Sequence, residues 1–548
     1  MDAHRPPSAV TDRLSTLSIA EKIGQLFVVP LGRHSPNALR LPPDQRTGAV
    51  NSDGLGAVVD QLRRYHVGGV CYFPTKPEGD DAGEVAALLA ELAAATGGAG
   101  LPPVVAVDQE GGTVARLRRG VTSVPSAMAL AATGDPESTA RAAAIIGAEL
   151  RAVGFHQDYA PDADVNSNPA NPAIGVRSYS SDPDLVAAHV AAAVRGLQGA
   201  GIAATAKHFP GHGDTSGDSH LMLPSVDRDA DAWAAIDLPP FVAAIGADVA
   251  AVMSAHVAVP AADGSGDPAT ASAAILTGVL RDRLGFTGTV VTDALDMAGA
   301  RDRLGDGEIA VRAVLAGADQ LLMPADLPVA VAAVTEAVSS GRISAARLDA
   351  AVGRVLALKH RVGLLTADPT LAPAADAAAN AAIAAELAVA GLTVLGDRGW
   401  RLPAGRVALV GALGGLENDL LPALRAAGAE VTVVDSGSDP AAVDADLAAA
   451  AAADQTIVVS RNATRWPGQR ALLAGLAAAG RRYVQLALAG PYDAGLATGA
   501  TARFLTYGDC AVSRAALLAV LTGAAAGGGR LPVDVPGPDG AIAFARGC

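Results

Sequence analysis

Ile202 to His220 reads IAATAKHFPGHGDTSGDSH, a short apolar run that breaks into a loop holding a lysine, three histidines and two aspartates among Gly, Ser, Thr and Pro. Small residues tolerate unusual backbone angles, so this loop can present side chains that bind, donate protons or ligate metal. The run itself reads as a strand that delivers chemistry at its carboxyl end. Other apolar runs stop in the same way, at Asp108, His256 and Asp293 as well as Lys207.

Working outward, eight short segments rich in β-branched or apolar residues precede residue 330, separated by Ala/Leu-rich stretches long enough for helices. They lie at Gln25–Val29, Gly69–Phe73, Val104–Val107, Gln157–Tyr159, Ala203–Ala206, Ala251–Ser254, Thr289–Thr292 and Gln320–Met323. Strand and helix alternating eight times predict an α/β fold whose N-terminal part is a (β/α)8 TIM-like barrel, with strand-end residues converging on one face. An open doubly wound sheet would need a switch point and a phosphate loop, which this region lacks.

Arg342–Leu365 has helical periodicity, ends near Gly363 and reads as a closing helix. A Pro-, Ala- and Asp-rich stretch follows. The expected organisation is a barrel domain over 1–370, a linker over 371–385 and a C-terminal α/β sandwich domain over 386–548. Its five strand candidates are Val407–Val410, Val431–Val434, Thr456–Val459, Tyr483–Leu488 and Arg503–Thr506. The glycines of GALGGLEN, Gly411 to Asn418, lack GxGxxG spacing and read as a strand-to-helix turn.

At 548 residues the chain exceeds a single core. Half its residues are apolar but only 3% are aromatic, which suits Ala-rich helices packed on Val-rich strands. A net charge of -15 argues against nucleic acid or an anionic membrane as partner. The opening residues, MDAHRPPSAVTDRLSTLSIAEKIGQLF, show no basic segment followed by an apolar core, and no later run has the length of a membrane span, so the expected location is cytoplasmic. Cys71, Cys510 and Cys548 are far apart and odd in number, pointing to neither a disulfide framework nor a CxxC metal site.

Asp293, at the end of GFTGTVVTDALDM, is a strand-fixed carboxylate suited to attack on an electrophilic carbon; the alternative role is an N-cap for the next helix. Asp296 reads as a cap or a supporting group. In the DSH element, Asp218 and His220 are two residues apart, so an extended turn puts both on one side, where the carboxylate orients the imidazole and favours its cation. A packed structural histidine is the alternative. A metal reading would use His208, His212, Asp214 and His220, but the intervening FPG rules out the helix that His-x3-His ligation uses. Phe209-Pro210 is a candidate cis peptide. Asp108 and Arg116 in VDQEGGTVAR, and Arg177 in NPAIGVRSYSSDP, are either surface ion pairs or groups that hydrogen-bond a polyhydroxylated ligand.

Together, VDQEGGTVAR, NPAIGVRSYSSDP, KHFPGHGDTSGDSHLMLP and LRDRLGFTGTVVTDALDM closely resemble the motifs of glycoside hydrolase family 3, in the same order and spacing. The KHFPGHG loop with its DSH element resembles the β-N-acetylglucosaminidase branch of that family, in which the histidine is the general acid/base. The resemblance implies a retaining exo-β-N-acetylglucosaminidase that uses no cofactor and no metal. Asp293 would be the nucleophile, His220 polarised by Asp218 the acid/base, and Asp108, Arg116, Arg177, Lys207 and His208 the groups holding the terminal sugar. The implied partner is a small carbohydrate from peptidoglycan or chitin, with monomer or homodimer left open. A β-N-acetylglucosaminide phosphorylase or a broad β-glucosidase on the same scaffold is the alternative. An inactive sugar-binding module would have lost Asp293 or His220 first.

Overall fold

The structure, a computed structural model, describes residues 7–32, 55–74, 80–97, 101–301, 303–365 and 376–548. The eight expected barrel strands all form: β1 (Phe27–Gly32), β2 (Gly69–Phe73), β3 (Val104–Val107), β4 (Gln157–Asp158), β5 (Ala203–Phe209), β6 (Ala251–Ser254), β7 (Thr289–Thr292) and β8 (Leu321–Leu322). They pair in parallel in the order β7-β6-β5-β4-β3-β2-β1-β8, and a parallel bridge between Val291 and Gln320 brings the two ends of the sheet together. Because every strand is covered on both faces, β2, β3, β5, β6 and β7 are buried along their whole length. That is why they read as continuous apolar runs rather than alternating ones.

The closing helix, Ala345–Arg361, is shorter than its periodic stretch. Ser344 caps its start by accepting the Arg347 N–H, and Gly363, at φ +83°, turns the chain beyond its end. Residues 366–375 of the expected linker lie outside the described residues. From Ala377 the expected linker is instead a helix, Ala377–Gly391, with Asp376 accepting the N–H groups of Ala378 and Ala379 as its N-cap. Its Ala384 belongs to the barrel core and its Ala388 to the core of the second domain, so it is packed into both.

The main sheet of the second domain has six strands rather than five: β9 (Thr393–Gly396), β10 (Gly405–Gly411), β11 (Ala429–Asp435), β12 (Gln455–Ser460), β13 (Tyr483–Ala487) and β14 (Ala500–Leu505). The order is β9-β14-β13-β12-β10-β11, all parallel except β9, which runs antiparallel to β14 at the edge. Thr393–Gly396 is only four residues long and directly follows an Ala-rich helix, so its sequence carries no separate strand signal. The two domains share an apolar cluster in which Met128, Ala129 and Val176 of the barrel pack with Tyr492, Tyr507, Leu531 and Val533. No helix among the described residues is long and apolar enough to cross a membrane.

Candidate active site

The ends of β2, β3 and β5 to β8, with the loop after β4, contribute to one cavity, lined among others by Asp108, Glu110, Arg116, Arg177, Lys207, His208, His220 and Asp293. Asp108 follows β3, where the chain folds back through a hairpin pairing Gln109–Gly111 with Val114–Ala115. The reversal depends on Gly112, which has φ +56° and where a Cβ would stand 2.5 Å from that of Ser126. Gln109 clamps the hairpin: its Oε1 accepts the N–H groups of Arg116 and Leu117 at 2.7 and 3.1 Å. Arg116 is thereby returned to Asp108, donating to Oδ2 at 3.1 Å while its guanidinium lies over the Phe73 ring.

Lys207, at 2% exposure, reaches the centre of this network from β5. It donates to Asp108 Oδ1 at 2.9 Å and lies 2.7 Å from Glu110 Oε1. Burial alone would push the Lys207 ammonium down, but the carboxylates of Asp108 and Glu110 outweigh it and hold it above the usual range. Glu110 also takes a two-pronged contact from Arg177, Nε at 2.9 Å and a terminal nitrogen at 2.7 Å. Sequence reasoning missed Glu110. The signal was present, since Asp108 and Glu110 are two apart in an extended segment and so face the same side.

His208 and Arg177 meet at 3.5 Å beside this network. Asp164 Oδ2 lies 2.7 Å from His208 Nδ1, and its Oδ1 accepts the His212 N–H at 2.6 Å, so one buried carboxylate orients the start of the whole reactive loop. Burial, reinforced by Arg177, holds His208 down to about 4, so at neutral pH its imidazole is uncharged. The Lys207-His208 and Phe209-Pro210 peptides are both cis. Asp164 and its neighbour Asp162 were also missed.

Asp162, Asp164 and His208 each offer a possible metal ligand atom, all within 4.8 Å of one another. That differs from the set of His208, His212, Asp214 and His220 weighed from the sequence and set aside. His212 has its two ring nitrogens at 2.8 Å from Thr215 Oγ1 and 3.0 Å from Ser219 Oγ, and His220 sits with Asp218. A guanidinium nitrogen of Arg177, 3.6 Å from Asp162 Oδ2, already places a positive charge at the carboxylate cluster.

Asp293 leaves β7 with its Oδ1 accepting the Ala294 N–H at 2.7 Å. Burial would raise its carboxyl, but the fields of His208, His256 and His220 outweigh that and hold it below the usual carboxylate range. Burial pushes both His208 and His256 down, which leaves His220 as the histidine able to carry charge opposite Asp293. His220 Nδ1 lies 2.7 Å from Asp218 Oδ1, which also accepts the His220 N–H at 3.0 Å. This hydrogen bond, aided by Asp293, holds the imidazole above its ordinary value and Asp218 down to about 2. His256, the remaining strand-end histidine, places Nε2 3.0 Å from the Ala294 carbonyl and Nδ1 2.9 Å from Thr270 Oγ1. It supports the turn beside Asp293 from behind.

All eight residues expected in the site are therefore accounted for. Asp108, Arg116, Arg177, Lys207, His208, His220 and Asp293 line one cavity, and Asp218 backs His220. Residues 18–358 match the glycosyl hydrolase family 3 N terminal domain, well over half of the chain. The chain belongs to glycosyl hydrolase family 3. It is 37% identical over 368 residues to beta-hexosaminidase A of Pseudoalteromonas piscicida, an alignment covering 62% of this chain and 61% of that protein. It is 33% identical over 409 residues to a beta-N-acetylglucosaminidase/beta-glucosidase of Cellulomonas fimi, covering 72% of this chain and 67% of the relative. A solved family 3 beta-N-acetylglucosaminidase from Paenibacillus sp. str. FPU-7 superposes with a TM-score of 0.82 at 33% identity, over 96% of this chain and all of that one.

In this family 3 chain the second domain contributes support rather than lining. Among the described residues none beyond Met323 lines the cavity. Instead the Tyr492 hydroxyl accepts from Asn166 Nδ2 at 2.7 Å, Arg465 donates to the Asn171 carbonyl at 3.2 Å, and Val176 sits in the shared apolar cluster. All three contacts brace the loop that ends in Arg177. The glycine-rich turn of the second domain lies at the carboxyl end of β10, where the strand order reverses. Arg461 fills that crevice, donating to the Ala412 and Leu413 carbonyls, so the turn serves packing.

Proposed function

We propose that this protein is a retaining exo-β-N-acetylglucosaminidase that removes terminal β-linked N-acetylglucosamine from small oligosaccharides of the peptidoglycan or chitin type, without cofactor or metal. The observation that carries the proposal is the pairing of His220 with Asp218 on the rim of the cavity that holds Asp293. His220 is about half exposed, which leaves it open to an aglycone, whereas Asp293 lies deeper among the sugar-holding network. The named activities of the relatives from Pseudoalteromonas piscicida and Cellulomonas fimi support the same reading.

In the first step the Asp293 carboxylate attacks C1, the C1–O bond to the aglycone breaks, and the His220 proton passes to the leaving oxygen. In the second, water attacks C1, its proton returns to His220, and the C1–Asp293 ester bond breaks. Two inversions give net retention. The partly buried set of Asp108, Glu110, Arg116, Lys207 and Arg177 offers both acceptors and donors for sugar hydroxyls.

The test is turnover of aryl β-N-acetylglucosaminide and aryl β-glucoside, each with and without phosphate, with the first-formed anomer followed by NMR. Preferred turnover of the acetamido sugar without phosphate, releasing the β-anomer first, is the expected result. Phosphate-dependent turnover would identify a phosphorylase, and faster turnover of the glucoside would overturn the sugar assignment.

A further inference from the structure

Gly299 is a buried residue that none of the catalytic roles above uses. It is the second residue of a short helix, Ala298–Arg301, that follows the nucleophile turn. A first-turn N–H has no partner inside its own helix. Here the Gly299 N–H donates 3.1 Å to the carbonyl of Ser219, the residue between Asp218 and His220. The helix end and the DSH turn are therefore joined backbone to backbone.

The space at the junction leaves no room for a side chain. A Cβ at 299 would stand 2.9 Å from the Ser219 carbonyl oxygen, 3.0 Å from that of Met222 and 3.2 Å from the His256 Cβ. The first two neighbours are backbone atoms on either side of His220, so relief would require moving the turn that carries it. The third neighbour, His256, also approaches the carbonyl of Ala294, the residue after Asp293. The turns bearing the two catalytic groups are thus seated on one small junction.

We propose that Gly299 is a positioning residue that docks the His220 turn against the Asp293 turn and so sets the height of the imidazole over the leaving oxygen. The inference rests on the reading of His220 as the general acid. A methyl group at 299 presses mainly on the His220 turn, whose two carbonyl oxygens lie nearer to it than His256 does. The loss should therefore fall on substrates that need protonation of the leaving group. A general acid contributes about a hundredfold or more to such departures.

The experiment compares wild type, Gly299→Ala and His220→Ala on a chito-disaccharide, whose leaving group needs a proton, and on a dinitrophenyl β-N-acetylglucosaminide, whose leaving group does not. Gly299→Ala is expected to lose at least about tenfold in kcat/KM on the disaccharide and under about threefold on the dinitrophenyl glycoside. Equal losses on both substrates, or none on either, overturn the proposal. If His220→Ala itself shows no such split, it is the general-acid reading that fails. A split in His220→Ala without one in Gly299→Ala sinks only the positioning role. Hydrogen exchange on the wild type covers the case in which Gly299→Ala does not fold. The Gly299 amide should exchange at least about tenfold more slowly than an unstructured amide, since it donates to the Ser219 carbonyl, and an unprotected amide refutes the docking.

Discussion

His220 is the residue whose environment has the clearest consequence for rate. The Asp218 hydrogen bond raises its pKa, while Asp293 is held below the carboxylate range. The first step needs Asp293 ionised and His220 protonated, so kcat/KM rises as Asp293 ionises and falls as His220 loses its proton. Replacing Asp218 with Asn removes the carboxylate that favours the imidazolium, so the His220 pKa drops. The alkaline limb of the kcat/KM profile should then move to lower pH, with the acid limb unmoved. An alkaline limb that stays in place in Asp218→Asn would mean that a different group supplies the proton. This pair was legible in the sequence, because two residues of spacing in an extended turn is a local property. Glu110 and Asp164 stand in equally local i, i+2 pairs with Asp108 and Asp162, yet their roles depend on Lys207, Arg177 and His208 arriving from other strands.

At the scale of elements, most barrel strands were readable because burial on both faces makes them apolar, and the polar residues that end four of the runs, Asp108, Lys207, His256 and Asp293, mark the mouth. The helix Ala377–Gly391 was not. Its composition is that of a linker, because alanines fill its exposed face as well as the face, Ala384, Leu387, Ala388 and Gly391, that packs into the two cores. Its last residue, Gly391, approaches the barrel so closely that a Cβ would lie 2.1 Å from the Ala129 carbonyl oxygen. Gly391→Ala should destabilise the protein by about 1–3 kcal/mol, as overpacking does elsewhere. Denaturant unfolding would show this as a lower midpoint at unchanged slope. A midpoint equal to wild type would mean that the helix end is not seated as described.

For the molecule as a whole, the joint between domains is a continuation of the core. Met128, Ala129 and Val176 are buried in one cluster with Tyr492, Tyr507, Leu531 and Val533. Hydrogen bonds cross the joint from Ser126 to the Tyr507 carbonyl and from Asn166 to Tyr492. Calorimetry should therefore record one cooperative transition, and Tyr492→Ala should lower its midpoint and weaken sugar binding together, through the loop that carries Arg177. Two separate transitions, or a lower midpoint with unaltered KM, would show that the second domain does not brace the site.

The amino-acid sequence by itself determined the barrel and the second α/β domain, and it named the eight residues expected in the site. Each of those features is written in short-range periodicity, in strand-end residues and in motifs a few residues long. Only the tertiary structure decided that Glu110 bridges Lys207 to Arg177, that Asp164 orients His208 and His212, that Gly299 seats the His220 turn, and that the expected linker is a helix shared by two cores. Those are contacts between segments tens to hundreds of residues apart. A side chain's own neighbourhood in the chain does not specify which distant backbone or charge will fill the space beside it, and that partner exists only once the strands have closed.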